Sequence, residues 1–167
     1  GGRNYKWNDT TPLANVWEQL HLSYESGVER MWMVNVGDLK NDEHPLEFFL
    51  DYAWHPERWP IERLAEWEKK WAAAQFGSEL SGEIAQVLER YGQLQSRRKP
   101  ELLNRAIRLD PALDITQQEN AVVYADGSPF SLTSYGEAER VTLDFQRLAA
   151  QSGAIRRRLP KAYDDAY

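Results

Sequence analysis

Asn35-Val36-Gly37-Asp38-Leu39-Lys40 follows directly on the apolar run Met31-Trp32-Met33-Val34, and Glu43 comes three residues later. One short stretch therefore carries an amide, two carboxyls and an ammonium. Two carboxyl groups on one loop can divide proton delivery and water activation between them, and Lys40 beside them can pair with an anionic substrate group. The abrupt change from apolar to polar marks a strand's carboxyl end, the place where catalytic loops emerge in α/β barrels and open sheets. Packing explains the same residues in another way. Asp38 can close a Gly-Asp turn, Glu43 can favour the amino end of the next helix, and Lys40 can be solvated.

The elements that would position this loop follow from patterning. Tyr5-Lys6-Trp7 reads as the tail of a strand. Asn8-Asp9-Thr10-Thr11 offers capping oxygens before Pro12, a favoured first helical residue. Leu13, Val16, Trp17, Leu20 and Tyr24 then form one helical stripe to about Ser26, with Gly27 suited to the left-handed position after it. Met31 to Val36 is the next strand, apolar on both faces as in parallel sheets covered by helices. Two strands cannot bury such surface. The remaining strands of a larger sheet or barrel are expected upstream, and the ending at Asp164-Asp165-Ala166-Tyr167 reads as the start of a further helix.

The rest is helical. Pro45 opens a helix carrying Leu46, Phe48, Phe49, Leu50, Tyr52 and Ala53, and Pro56 ends it. From Pro60, Ile61, Leu64, Trp67, Trp71 and Ala74 form a stripe closed by Gly77. Ser78 is the expected cap of a third helix, with Leu80, Ile84, Val87, Tyr91 and Leu94 in bundle-like spacing. Between Pro100 and Thr133 the pattern loosens, and the run Ala121 to Tyr124 fits either a small hairpin or an irregular loop. Ser134-Tyr135-Gly136-Glu137 has capping-box spacing before a last helix to about Arg158, with Ala138, Val141, Phe145, Leu148 and Ile155 on its stripe. The reading is a mainly α chain. Residues 1–43 form the carboxyl-terminal portion of an incomplete α/β barrel, and residues 44–167 form an antiparallel helical bundle.

Composition narrows the classes of function. The 167 residues include seven Trp and eight Tyr, and the formal charge is −6. That charge argues against nucleic acid, which needs a concentrated basic surface. Arg97-Arg98-Lys99 and Arg156-Arg157-Arg158 are the basic runs, and both fall at helix ends, where cations complement the carbonyl terminus. The absence of cysteine removes disulfides, thiolate catalysis and cysteine zinc sites. No apolar run approaches the ~20 residues of a membrane span. His21, His44 and His55 lack paired ligand spacing, and there is no phosphate-binding glycine loop or Gly-x-Ser-x-Gly pattern. Nothing implies a cofactor or a metal.

Taken together, Tyr5-Lys6-Trp7, Trp17-Glu18-Gln19, the run Trp32 to Lys40 with Glu43 and Pro45, Phe48-Phe49-Leu50, Gln75-Phe76-Gly77 and Arg97-Arg98-Lys99-Pro100-Glu101 resemble the α-glucuronidases of glycoside hydrolase family 115. Asn35 to Lys40 is the most specific part. The resemblance is weakest between Leu109 and Leu132, and Asn41 stands where the family pattern has proline. It implies a TIM-like catalytic barrel followed by a helical bundle, and release of glucuronic acid or its 4-O-methyl ether from glucuronoxylan or aldouronic acids with inversion. It also implies a bacterial periplasmic or secreted protein, and it leaves room for a homodimer of the complete protein. The isolated chain, with its barrel incomplete, is expected to be inactive.

An inverting glycosidase needs two carboxyl groups roughly 6.5–9.5 Å apart, and a uronate substrate adds a carboxylate of its own. Asp38 and Glu43 are candidates to orient water or bind hydroxyls, Lys40 to pair with the uronate and Asn35 to bind substrate. Glu18 is a further family-matched carboxylate, with a buried structural contact beside Trp17 as its other reading. Tyr5 and Trp7 suit either sugar stacking or core packing. Trp67 and Trp71, four apart on one stripe, read as packing, whereas Trp54 and Trp59 suit either the bundle's end or an interface. The rival reading is a noncatalytic helical module that docks to a partner through exposed aromatics.

Overall fold

The computed structural model describes residues 9–36, 39–97, 106–109, 122–125, 136–163 and 166–167. Helix α1 spans Leu13–Glu25, α2 Glu43–Trp54, α3 Leu64–Phe76, α4 Ser81–Arg97 and α5 Glu137–Arg156. A two-stranded antiparallel sheet joins β1, Ala106–Leu109, to β2, Val122–Ala125, with Ile107 opposite Tyr124. Of the two options for the run Ala121 to Tyr124, paired strands are therefore what forms.

Helix α1 stops where the glycine requires. Gly27 takes φ 85°, and the N–H groups of Gly27 and Val28 donate to the carbonyls of Tyr24 and Ser23, which satisfies the last turn. At the other end Pro12 is the cap rather than the first helical residue, with φ −65° and ψ 135°. Asp9 does not cap the helix. Its Oδ1 accepts the Thr11 N–H at 2.8 Å, a turn closed two residues on. Helix α3 is entered through a 3₁₀ turn at Ile61–Arg63 and ended by Gly77 at φ 84°. Ser78 supplies its carbonyl to the Ser81 hydroxyl, and α4 starts at Ser81, two residues later than a cap at Ser78 would place it. Helix α5 begins after Gly136, itself left-handed at φ 62° and without a side-chain cap; Ser134 of the expected capping box lies outside the described residues. After Pro160 the described residues form a 3₁₀ turn, Lys161–Tyr163.

Two cores result. Ala72, Phe76, Leu80, Ile84, Val87, Leu94, Leu148, Ile155 and Leu159 hold α3, α4 and α5 together. Arg158 just beyond α5 forks onto Glu83 near the start of α4, while Arg97 at the end of α4 meets Asp144 early in α5, so these helices are antiparallel. Leu13, Leu20, Phe48, Tyr52, Trp59, Leu64 and Trp67 form a second, mostly aromatic core under α1 and α2. Its rings are fixed by polar handles. The Trp17 indole N–H donates to the Trp59 carbonyl at 2.8 Å, Trp67 donates to Asp51 at 2.8 Å, and the Tyr52 hydroxyl lies 2.9 Å from His21 Nδ1. The expected packing of Trp67 and Trp71 is what the bundle contains: Trp67 is buried, and half-buried Trp71 donates to Glu47. Trp59 is buried in this core, whereas Trp54 is exposed.

The α/β element is where expectation and structure part. Residues 31–36 carry no regular secondary structure, and no strand pairs with them among the described residues. An extended segment without a neighbour has no ladder to complete. Its faces are nonetheless sorted. Trp32 stacks on Tyr52 with ring centroids 6.1 Å apart and meets Tyr24 edge-on, while Met31 and Met33 face outward, Met33 88 % exposed. Asp9 and Leu13 lie with His44 at the start of α2, and His21 lies with Tyr52 near its end. Helices α1 and α2 therefore run in the same direction, with the apolar segment returning between them. The expected strand at Tyr5 to Trp7 lies outside the described residues.

Candidate functional site

Chemistry-bearing side chains gather in two places. The first is the loop that enters α2. Lys40 Nζ lies 3.5 Å from Glu43 Oε1, one turn apart and largely in solvent. The backbone folds back here: Asp42 N–H donates to the Leu39 carbonyl at 3.2 Å, and Asn41 takes φ 74°. That left-handed conformation is open to asparagine and closed to proline, whose ring fixes φ near −65°. A proline at position 41 would require a different path for this loop. Glu43 is the first residue of α2, and its own N–H, the Lys40 charge and the Asn41 N–H hold its carboxyl below the usual range. An ionised carboxylate at a helix amino terminus is also favoured by the macrodipole.

The structure brings Lys40 and Glu43 together and places Asn35 exposed at the end of the apolar segment. It does not join Glu18 to them. Glu18 is exposed on α1 rather than buried beside Trp17, because the buried stripe falls on Leu13 and Leu20 with Val16 and Trp17 half-covered. Asp38, Tyr5 and Trp7 lie outside the described residues.

The second place was not singled out by motif. A cleft of about 310 Å³ opens between the segment preceding α1, the start of α2, and the facing sides of α3 and α4. Glu68 on α3 lines it and is 6 % exposed. Burial, with added repulsion from Glu89, pushes its carboxyl up to about 8. His44 stands between two acids, its Nδ1 3.8 Å from Asp9 Oδ2 and its Nε2 4.0 Å from Glu68 Oε1. Both distances exceed a hydrogen bond. Tyr91 on α4 donates its hydroxyl to the Asp9 carbonyl at 2.6 Å, pinning the segment before α1 to α4. The signal for Glu68 was present in the spacing. It follows Leu64 by four residues and Trp67 by one, which puts a carboxyl on the buried stripe. Among the described residues, no group of His, Asp and Glu is arranged to hold a metal ion, and no helix is long and apolar enough to cross a membrane.

Residues 1–102 match the family model described as glycosyl hydrolase family 115, a stretch that contains α1 to α4, the loop and the cleft. No curated protein matches the chain.

Proposed function

This chain belongs to glycosyl hydrolase family 115, and on that premise we propose that it is part of an α-glucuronidase that releases glucuronic acid or 4-O-methylglucuronic acid from xylan with inversion. The observation that carries this reading is the path of residues 13–54. Two helices run side by side in one direction, and the apolar segment returns between them with Trp32 on the helices and Met31 and Met33 facing away. That is the order of a barrel's strand and helices, and the outward methionines are the face that neighbouring strands and a barrel interior would cover. The segment ends in Asn35 to Lys40, at the position of a catalytic loop. On this reading α2 belongs with the barrel element, so the appended bundle begins after it, beyond the boundary at residue 44 that the sequence pattern suggests.

Within this reading the loop residues take roles their chemistry allows. Glu43, held ionised, suits activation of water or acceptance of sugar hydroxyl protons and is unsuited to delivering a proton at neutral pH. The general acid would be another carboxyl, Asp38 or one elsewhere in the complete barrel. Lys40 has the charge and reach to exchange its contact with Glu43 for the substrate uronate, and Asn35 can bind a hydroxyl. Tyr5 and Trp7 would stack on pyranose rings at the barrel mouth. Glu18, on an exposed helix face, takes no part. The chain alone, without a complete barrel, would not turn over.

The test is to supply glucuronoxylan to the complete polypeptide that carries these residues and to follow the anomeric proton of the released uronic acid by NMR. Initial appearance of the β-anomer from the α-linked substrate is the expected outcome. Initial α-anomer would replace inversion with retention, and no release from xylan or aldouronic acids would favour the docking module.

A further inference from the structure

The cleft between α3 and α4 is rich in acceptors and poor in donors. Asp9, Glu62, Glu68 and Glu89 line it, and neither lysine nor arginine does. Carboxylates gathered at a surface usually point into water, but here one is buried: Glu68 is 6 % exposed, and His44 Nε2 stands 4.0 Å from its Oε1, beyond hydrogen-bond reach. Two polar atoms of the lining, Gln95 Oε1 and His44 Nε2, are buried and without a hydrogen-bond partner among the described residues, and Gln95 is only 5 % exposed. Leaving such groups unpaired is costly, and a ligand supplying donors would recover that cost. Two hydroxyls of the lining are already committed, Tyr91 to the Asp9 carbonyl and Ser96 to the Gly92 carbonyl.

From this geometry we propose that the cleft is a binding site for a small organic cation, a protonated primary amine with an apolar body. The 4.0 Å gap between Glu68 Oε1 and His44 Nε2 leaves both atoms within reach of a single ammonium at hydrogen-bond distances of about 2.9 Å. Pro12, Leu13, Ile61, Leu64 and Leu88 supply the apolar wall that an aliphatic or aromatic body requires. A bare metal ion does not match that wall or the absence of a three-ligand cluster among the described residues. A neutral sugar needs donors as well as acceptors, and a uronate would meet four acidic residues. The site is therefore separate in chemistry from the loop, and it stands or falls independently of the glucuronidase reading.

Binding an ammonium beside Glu68 favours its ionised form, so uptake of the ligand releases a proton in the range below about pH 8, where the free carboxyl is protonated. The groups facing Glu68 are Asp9 before α1, His44 on α2, Glu62 before α3, and Glu89 and Tyr91 on α4. Burial and the nearby Glu89 raise the cost of an unpaired Glu68 charge, and the ligand's charge offsets it.

The probe is benzylammonium, titrated into the 167-residue chain while the amide resonances of Glu68 and Gly92 are followed by NMR, with benzyl alcohol, benzoate and xylose as comparisons. Saturable shifts at both amides are expected with benzylammonium, at least tenfold weaker with benzyl alcohol and undetectable with benzoate. Glu68→Gln, close to isosteric, is expected to weaken benzylammonium at least tenfold while circular dichroism stays unchanged. Should that variant fail to fold, the unsubstituted chain provides the same test: affinity should rise about tenfold per unit from pH 6 to 7. Equal binding of the alcohol would leave only an apolar cavity. Preference for xylose or benzoate, affinity independent of both Glu68 and pH, or absence of saturation at the two amides would each overturn the assignment.

Discussion

Glu43 opens α2 and Glu68 lies in the middle of α3, and their surroundings drive the two carboxyls in opposite directions. Glu43 stands in solvent with Lys40 beside it and backbone N–H groups aimed at it, so its charged form is favoured. Glu68 stands against apolar side chains with another carboxyl nearby, so its neutral form is favoured. The difference teaches that residue type locates neither role. A glutamate at a helix amino end is ready to accept protons or bind hydroxyls as it stands, whereas one on a buried stripe holds its proton until a counter-charge arrives. The supporting structure differs in the same sense. The cleft is built on helices locked by Tyr91, Trp67 and the aromatic core, while the loop is carried by a segment with one ring, Trp32, anchored.

That contrast is most directly broken at its supports. Phe48 is fully buried under the cleft side of α2, and Phe48→Ala is expected to cost about 3–5 kcal/mol, read as a lowered urea midpoint. Met33→Ala, on the outward face of the apolar segment, should change stability by less than about 0.5 kcal/mol in the isolated chain. Comparable losses from both would mean that the segment is packed as firmly as the core.

The next effect tests the carboxyls themselves. Glu68 binds its proton more tightly folded than unfolded, so its contribution is fully present below about pH 4.5 and is lost as pH rises toward 8. Replacing it with glutamine removes this penalty. Glu68→Gln is expected to be more stable than the parent chain at pH 7.5, by on the order of 2 kcal/mol, and to flatten the stability profile between pH 5 and 8. A parent chain whose stability is already flat there would remove the distinction between the two glutamates.

Smaller changes sharpen the loop side. Asn41→Pro cannot keep φ 74° and should cost on the order of 1–2 kcal/mol, with Asn41→Gly close to neutral; thermal unfolding of the three chains separates them. Glu43→Gln should shift stability least, by less than about 0.5 kcal/mol in solvent. Its sign is opposite to that of Glu68: the lowered Glu43 carboxyl contributes above its unfolded value near 4.5, and the contribution fades as pH falls through the folded value. A loss measured at pH 7 that shrinks as pH falls below about 4.5 is the expected pattern.

Local rules made much of this fold legible. Gly27 takes the positive φ that its place after the α1 stripe suited, Gly77 closes α3 as its place after the next stripe suggested, and Ile84, Val87 and Leu94 are buried at the spacing that named them. Lys40 and Glu43 could be paired from sequence because they are three residues apart at a helix start. What was not legible depends on distant partners. Residues 31–36 have strand composition, but a ladder needs a neighbour that composition cannot supply. Asp9 reads as a helix cap until Pro12 proves to be the cap, leaving Asp9 to close a turn and approach His44. The cleft joins Asp9, His44, Glu68 and Gln95 across four stretches of chain, and no local pattern connects them. Only the placement of a carboxyl on the Leu64–Trp67 stripe hinted at it.

The most direct test of the loop's role is the rate of uronic acid release from glucuronoxylan by the complete polypeptide, compared with the same protein carrying Asp38→Asn, Glu43→Gln or, as a surface control, Glu29→Gln. Release by the parent, a loss of about 10²-fold or more in one of the first two variants, and an unchanged rate with Glu29→Gln are the expected results. A parent that releases nothing, or Asp38→Asn and Glu43→Gln that both release as fast as the parent, would contradict the assignment of this loop to catalysis.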